Sequence, residues 1–166
     1  MEVRKVNTKY LTKASLIAGI YILLVLIQIP MGNLAFGPIQ LRIAEGLTLL
    51  PFVESAAVPG LFVGCLVSNF LLASYSAFGL VDIIGGSLVT LLAAYLTSKM
   101  PNKYLAALPP ILLNGFIVAT WVSYFTNVPY WLTVLGISIG EILSVAIFGT
   151  VVLTVYTKYT KYIENN

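Results

Sequence analysis

The stretch LRIAEGLTLLP, residues 41–51, sets an arginine and a glutamate three positions apart among leucines. Its surroundings make this unusual: of 166 residues, 59% are hydrophobic and only 9% charged, and the mean hydropathy is +0.97. Such a chain has too little polar surface to wrap a core in water-facing side chains, so it is predicted to be an all-α membrane protein. A carboxylate or guanidinium at mid-bilayer costs about 2.5 to 3.5 kcal/mol on insertion scales. Arg42 and Glu45 are therefore expected to have something to hold.

A helix needs roughly 20 apolar residues to cross about 30 Å of hydrocarbon. Outward from 41–51, the apolar runs divide the chain into six predicted transmembrane helices at about 13–29, 39–53, 57–74, 81–98, 104–125 and 131–157. The second is short, preceded by Pro38 and carrying Pro51 in its last turn. Charge placement tests the division, because Lys and Arg collect on the cytoplasmic side of short-looped membrane proteins. With the N-terminus inside, Arg4, Lys5, Lys9 and Lys13, then Lys99 and Lys103, then Lys158 and Lys161 all fall inside. Without segment two, Lys99 and Lys103 would fall outside, so six spans are predicted, N-in and C-in.

The basic start imitates a signal peptide, but residues 14–29 run on without a small-residue cleavage site and further apolar runs follow. It reads as a retained span. Loops are short and no repeat period of about 20 to 50 residues recurs, so one integral membrane domain over 1–166 is expected. The single Cys65 cannot form an intrachain disulfide, and with no histidine and no acids at ligand spacing no metal site is expected. Neither a GxxxxGK[ST] loop nor a nucleophile beside a base occurs, so no catalytic residues, no enzyme activity and no ATP hydrolysis by this chain are expected. The formal charge of +3 reports on topology, with no nucleic-acid partner implied.

Four ions fall inside the predicted spans: Arg42, Glu45, Asp82 and Glu141. Counted at about 1.5 Å per residue, Glu45 lies roughly 9 Å below the outer end of segment two, Asp82 at the outer end of segment four and Glu141 roughly 15 Å down segment six. Asn69 and Asn114 sit roughly 8 and 15 Å below the outer ends of segments three and five. Residues that only glue helices together would scatter in depth; these share the outer half, as a cavity opening outward requires. Aromatics at that level, Phe36, Tyr75, Phe78, Trp121, Tyr124, Tyr130 and Trp131, offer walls and a lid. An interfacial belt is the plainer reading for Tyr130 and Trp131.

Each ion also has a purely structural explanation. Arg42 and Glu45 can pair at i,i+3 on one helix face, and Asp82 can cap segment four. Glu141 has no basic residue within reach on its own helix and needs a partner from another segment or a ligand. Glu54 is expected to be solvated or at a partner contact. Gly60-LFV-Gly64, Gly136-ISI-Gly140 and Ala14-SLI-Ala18 are small-xxx-small patterns that let helices approach closely. The alanine pair lies just after the basic residues, where a partner can dock. Pro109-Pro110 is expected to kink segment five or mark its start.

In order and spacing, GPIQLRIAEGLTLLP (37–51), GCLVSNF (64–70), VDIIGGSLVT (81–90), PPILLNG (109–115) and GISIGEILS (136–144) resemble the QueT family. The similarity covers nearly the whole chain, with LRIAEGLT its most specific part. That family comprises substrate-binding (S) components of energy-coupling factor transporters for queuosine precursors. The resemblance implies a six-helix bundle in the bacterial plasma membrane that captures ligand outside and releases it inside by tilting. The tilt would be driven by a separate transmembrane T component and two ATP-binding-cassette ATPases, with no cofactor of its own. Ala14-SLI-Ala18 is similar to the alanine motif through which S components of this class meet the T component. The implied ligands are 7-deazaguanines such as queuine and its aminomethyl and cyano precursors. Glu141 or Glu45 would accept two N–H donors of a guanine-like edge, Asn114 and Asn69 would meet the ring carbonyl or pyrrole N–H, Trp121 or Tyr75 would stack, and Asp82 would take a cationic aminomethyl arm. An S component for another small heterocyclic vitamin or base, or a solitary ion-coupled carrier with Glu141 as coupling carboxylate, are the rival expectations.

Overall fold

The structure, a computed structural model, describes residues 7–32, 41–73 and 78–165. Among these, six helices form: α1 (Thr8–Met31), α2 (Ile43–Phe52), α3 (Ala57–Leu72), α4 (Val81–Thr97), α5 (Lys103–Thr126) and α6 (Tyr130–Ile163). Three of them, α1, α5 and α6, are long and apolar enough to cross a membrane; α2, α3 and α4 are shorter apolar helices. Their outer faces carry exposed leucine, isoleucine and phenylalanine, such as Leu16, Phe70, Leu80, Leu132 and Ile147. An apolar exterior of that extent suits lipid rather than water.

The six helices match the six predicted segments, with one change of kind. Residues 43–52 form a 3-10 helix instead of an α-helix beginning at 39. Its rise of about 2.0 Å per residue lets ten residues cover roughly 20 Å, where an α-helix would cover roughly 15 Å. Three residues per turn also give it three faces. Ala44, Leu47 and Leu50 join Ile17, Tyr21, Leu61 and Cys65 of α1 and α3 in one core cluster. Leu49, with Phe52, packs on Val145 of α6 and Ala106 of α5, while Gly46 meets Phe148: a Cβ there would lie 2.5 Å from the Phe148 Cβ. The third face holds Glu45 and Thr48, whose Oγ1 donates to the Glu45 carbonyl at 2.6 Å. Every residue from Ala44 to Pro51 is buried, so α2 is the axle of the bundle.

Around it, α1 packs on α3, α3 on α4, α4 on α5 and α5 on α6. The α1–α3 seam is made by the small residues: Gly60 lies against the Ala14 carbonyl and Gly64 against Ala18 and Tyr21. A second core, with Val89, Val118, Val122, Val134 and Ile137, joins α4, α5 and α6. The expected break at Pro109-Pro110 is present. A short turn of helix, Lys103–Ala106, capped by the Asn102 side chain, stops at Ala107, and helix restarts with both prolines in its first turn. There a missing N–H costs nothing. Asn127, in the left-handed region at φ 56°, closes α5.

Three helices widen locally into π turns: Val81–Gly86 at the start of α4, Asn114–Val118 in α5 and Val145–Gly149 in α6. Such turns concentrate at functional sites because they re-aim side chains without ending a helix. Here they carry Asp82, begin at Asn114, and follow Glu141 by one turn.

Candidate ligand-binding site

The polar residues of α1, α2, α4, α5 and α6 converge where α2 begins. Gln28, at the end of the α-helical part of α1, builds that start: its amide nitrogen donates to the Leu41 carbonyl at 2.9 Å, and its oxygen accepts from the Ile43 N–H at 2.6 Å. The Arg42 N–H in turn donates to Ser144 Oγ of α6 at 3.1 Å. Residues 41–43 are thereby tied to both α1 and α6, which fixes the direction in which Arg42 and Glu45 leave the backbone.

Arg42 and Glu45 pair, as their spacing allows, with Arg42 Nη1 at 3.6 Å from Glu45 Oε1. Tyr21 of α1 completes a triangle: its hydroxyl donates to Glu45 Oε1 at 2.8 Å and accepts from Arg42 Nη2 at 3.3 Å. Tyr21 is fully buried. Across the site Asn114 Nδ2 donates to Glu141 Oε1 at 2.6 Å, giving Glu141 the interhelical partner it lacked on its own helix. Glu141 points inward, with 4% exposure, away from lipid.

These pairs form one electrostatic unit. The charged neighbours of Glu141 are Glu45 and Arg42, and those of Arg42 include Glu45 and Asp82. One guanidinium is thus within electrostatic influence of three carboxyls, and in direct contact with that of Glu45. Among the described residues, three buried atoms in the unit have no hydrogen-bond partner: Arg42 Nε, Glu45 Oε2 and Glu141 Oε2. Orphans of this kind are rare in folded proteins because each carries the full desolvation penalty. Together they are one donor and two acceptors.

Asp82 lies in the first turn of α4. Its Oδ1 accepts from the Trp121 indole N–H at 3.2 Å, and the edge of that indole lies over Gly85, where an added Cβ would find it at 3.6 Å. Asn69 is engaged in the fold, since its Nδ2 donates to the Asp82 carbonyl at 2.7 Å and contacts Cys65 Sγ at 3.4 Å. Asn69 therefore holds the π turn in place. Tyr75 and Phe36 lie outside the described residues. Tyr124 and Trp131 are 78% and 68% exposed and belong to the outer surface, not to a lid.

At the opposite, lysine-rich end, Ala18 is buried and Ala14 half-buried against α3, where the glycines of Gly60-LFV-Gly64 receive them. The outward face carries Ser15 and Gly19 instead, with open space at Gly19. Glu54 is not free in solvent but binds Lys13 and the Tyr156 hydroxyl and accepts from the Ala56 N–H at 3.0 Å.

Sequence reasoning missed Tyr21, Gln28 and Ser144. The first two had a signal: Ala14, Ile17, Ala18, Tyr21, Val25 and Gln28 recur at helical spacing, so the stripe that holds the alanines also points the tyrosine and the amide inward. Ser144 had one too: it follows Glu141 by three residues and so shares its helix face.

The profile of the QueT transporter family matches residues 11–158. The queuosine precursor transporter QueT of Lactococcus lactis subsp. cremoris is 31% identical over 88 residues, 53% of this chain and 48% of that protein. The chain thus matches about half the length of that curated relative, and no solved structure matches it. With the family profile running from α1 to within α6, through every helix that contributes to the polar cluster, the chain belongs to the QueT transporter family.

Proposed function

We propose that this chain is the substrate-capture component of an importer for queuosine precursors and binds 7-deazaguanines at the Arg42–Glu45–Asn114–Glu141 cluster. The observation that carries the reading is the set of three unpartnered buried atoms, Glu141 Oε2, Glu45 Oε2 and Arg42 Nε. A guanine-like edge offers two adjacent N–H donors beside a carbonyl acceptor, which is the complementary set. Charge-assisted hydrogen bonds of this type are the strong ones in a site without water. The excess of carboxyls over guanidinium suits a cationic aminomethyl arm, with Asp82 nearest to receive it. Trp121, its N–H fixed on Asp82, is the ring available for stacking.

In this reading all six helices lie in the bilayer with both termini and the lysine-rich end inside, and the cluster opens outward. The absence of a phosphate loop from the sequence fits an energy supply from outside the chain, a T component with two ATPases. Since Ala14 and Ala18 are used within the bundle, the outward Ser15–Gly19 face of α1 is the surface that supports contact with the T component.

Side-by-side titration of the purified chain with queuine, its aminomethyl and cyano precursors, guanine and riboflavin tests the reading. Deazaguanines are expected to bind and compete with one another, with the aminomethyl compound tightest. Riboflavin binding more tightly, or guanine equalling the deazaguanines, would overturn the substrate class. Accumulation in vesicles holding this chain alone, driven by a proton or sodium gradient, would establish a solitary carrier instead.

A further inference from the structure

Between α5 and α6, running toward the lysine-rich end of the bundle, lies a cleft. Its floor is Leu49 of α2 and Val145, its walls include Ile111 and Ala146, and Lys103 and Tyr104 stand at its rim; its volume is about 310 Å³. A second hollow of about 460 Å³ shares Lys103, Leu153 and Thr154 and extends toward Asn102 and Thr157. Two features noted above open it. The π turn at Val145–Gly149 widens α6 where Val145 and Ala146 face the gap, and the break at Ala107 sets the first turn of α5 apart from the rest of the helix.

The first cleft is mostly aliphatic, with Lys103, Tyr104, Thr150 and Thr154 its polar members, and the second hollow adds the Asn102 amide and the Thr157 hydroxyl to Lys103 and Thr154. No acidic side chain is among the described residues of either lining. Lys103 Nζ lies 5.0 Å from the centre of the Tyr104 ring, and Tyr104 is 76% exposed, a cation and aromatic pair of the kind that marks the level of lipid headgroups. A mostly aliphatic slot whose one cation among the described lining residues is Lys103 matches an acyl chain attached to an anionic headgroup.

We propose that this cleft is a binding site for one anionic phospholipid, an acyl chain lying on Leu49, Val145 and Ala146 and the phosphate on Lys103. The membrane placement above is required, but the precursor site is not. Native mass spectrometry of the purified full chain, with phosphatidylglycerol and phosphatidylcholine of identical acyl chains, tests it. One phosphatidylglycerol is expected to be retained in preference. Lys103→Gln should lower that preference about fivefold, while Lys99→Gln, outside the cleft, leaves it unchanged. Ala146→Trp, at an exposed position in the wall, should reduce retention of both lipids. Equal retention of the two lipids by the unaltered chain, equal effects of Lys99→Gln and Lys103→Gln, or a loss of self-association without a loss of lipid in Ala146→Trp would each overturn the proposal. Precursor binding, read separately, stays within twofold in all three variants, so failure here leaves the substrate reading standing.

Discussion

Glu45 and Glu141 carry the same carboxyl, and their neighbours give them different work. Glu45 answers a guanidinium and a phenol, both from within the chain. Glu141 answers the Asn114 amide, with no cation in direct contact among the described residues, and each of the two carboxylates keeps its second oxygen unpartnered among those residues. Glu141→Gln can retain the Asn114 hydrogen bond through its carbonyl oxygen, so the melting temperature should barely move. The ligand-facing oxygen becomes an NH2 group that opposes a donor, and a hydrogen bond to a charged group is worth about 1.5 to 3 kcal/mol. Affinity for the aminomethyl precursor should fall roughly 10- to 100-fold by titration; unchanged affinity would remove Glu141 from the site. Glu45→Ala should instead lower stability as well as binding, because a buried guanidinium left without its counterion costs about 3 to 5 kcal/mol. Which residues were ions in oil was legible in the sequence. Which groups of the protein they meet was not, since Asn114 and Glu141 lie 27 positions apart in the chain and only the packing of α5 on α6 decides it.

At the scale of elements, α2 decides whether those side chains meet. Sequence periodicity found a short, irregular apolar segment with proline near its end. It did not reveal a 3-10 helix, because residues apolar on every side give no period to distinguish three residues per turn from 3.6. The three π turns were equally invisible, being widenings that packing imposes on ordinary helical sequence. Glycine is the element-scale clue. Gly46→Ala would set a Cβ at 2.5 Å from the Phe148 Cβ and 2.9 Å from the Phe148 carbonyl carbon, a clash with backbone that no rotamer relieves. Parting α2 from α6 should cost about 1 to 3 kcal/mol and also disturb the Arg42–Ser144 tie, so both melting temperature and ligand affinity drop. Gly19→Ala meets nothing within 4 Å and removes a flexible residue from a helix, which should stabilise the isolated chain by about 0.5 to 1 kcal/mol. Thermal melts of the two variants in one detergent should therefore move in opposite directions; a shift of the same sign would mean α2 is not held against α6 as described.

On the scale of the whole molecule, the polar cluster at one end is matched at the other by a clamp that spans the chain: Lys13 from α1, Glu54 from the α2–α3 turn and Tyr156 from α6. Partial burial pushes the Glu54 carboxyl up, but the hydrogen bonds from Lys13, Tyr156 and the Ala56 N–H outweigh it and hold the group below its ordinary 4.5. A carboxyl depressed on folding adds stability at any pH above its ordinary value, and that stability is lost as pH falls through the folded value. Lys13 is 52% exposed and its charge is screened, so the contribution is about 1 kcal/mol or less, a few degrees of melting temperature in a chain of this size. Unaltered protein should then melt above Glu54→Gln at pH 7, with the gap narrowing as pH falls below 4.5 and shrinking in high salt. A gap that persists at low pH would show the clamp to be packing rather than charge. Because Lys13 and Gln28 lie at opposite ends of α1, and Arg42 and Glu54 at opposite ends of α2, loosening the clamp should leave precursor affinity of the isolated chain within twofold, whereas Gly46→Ala, between the two ends, should not.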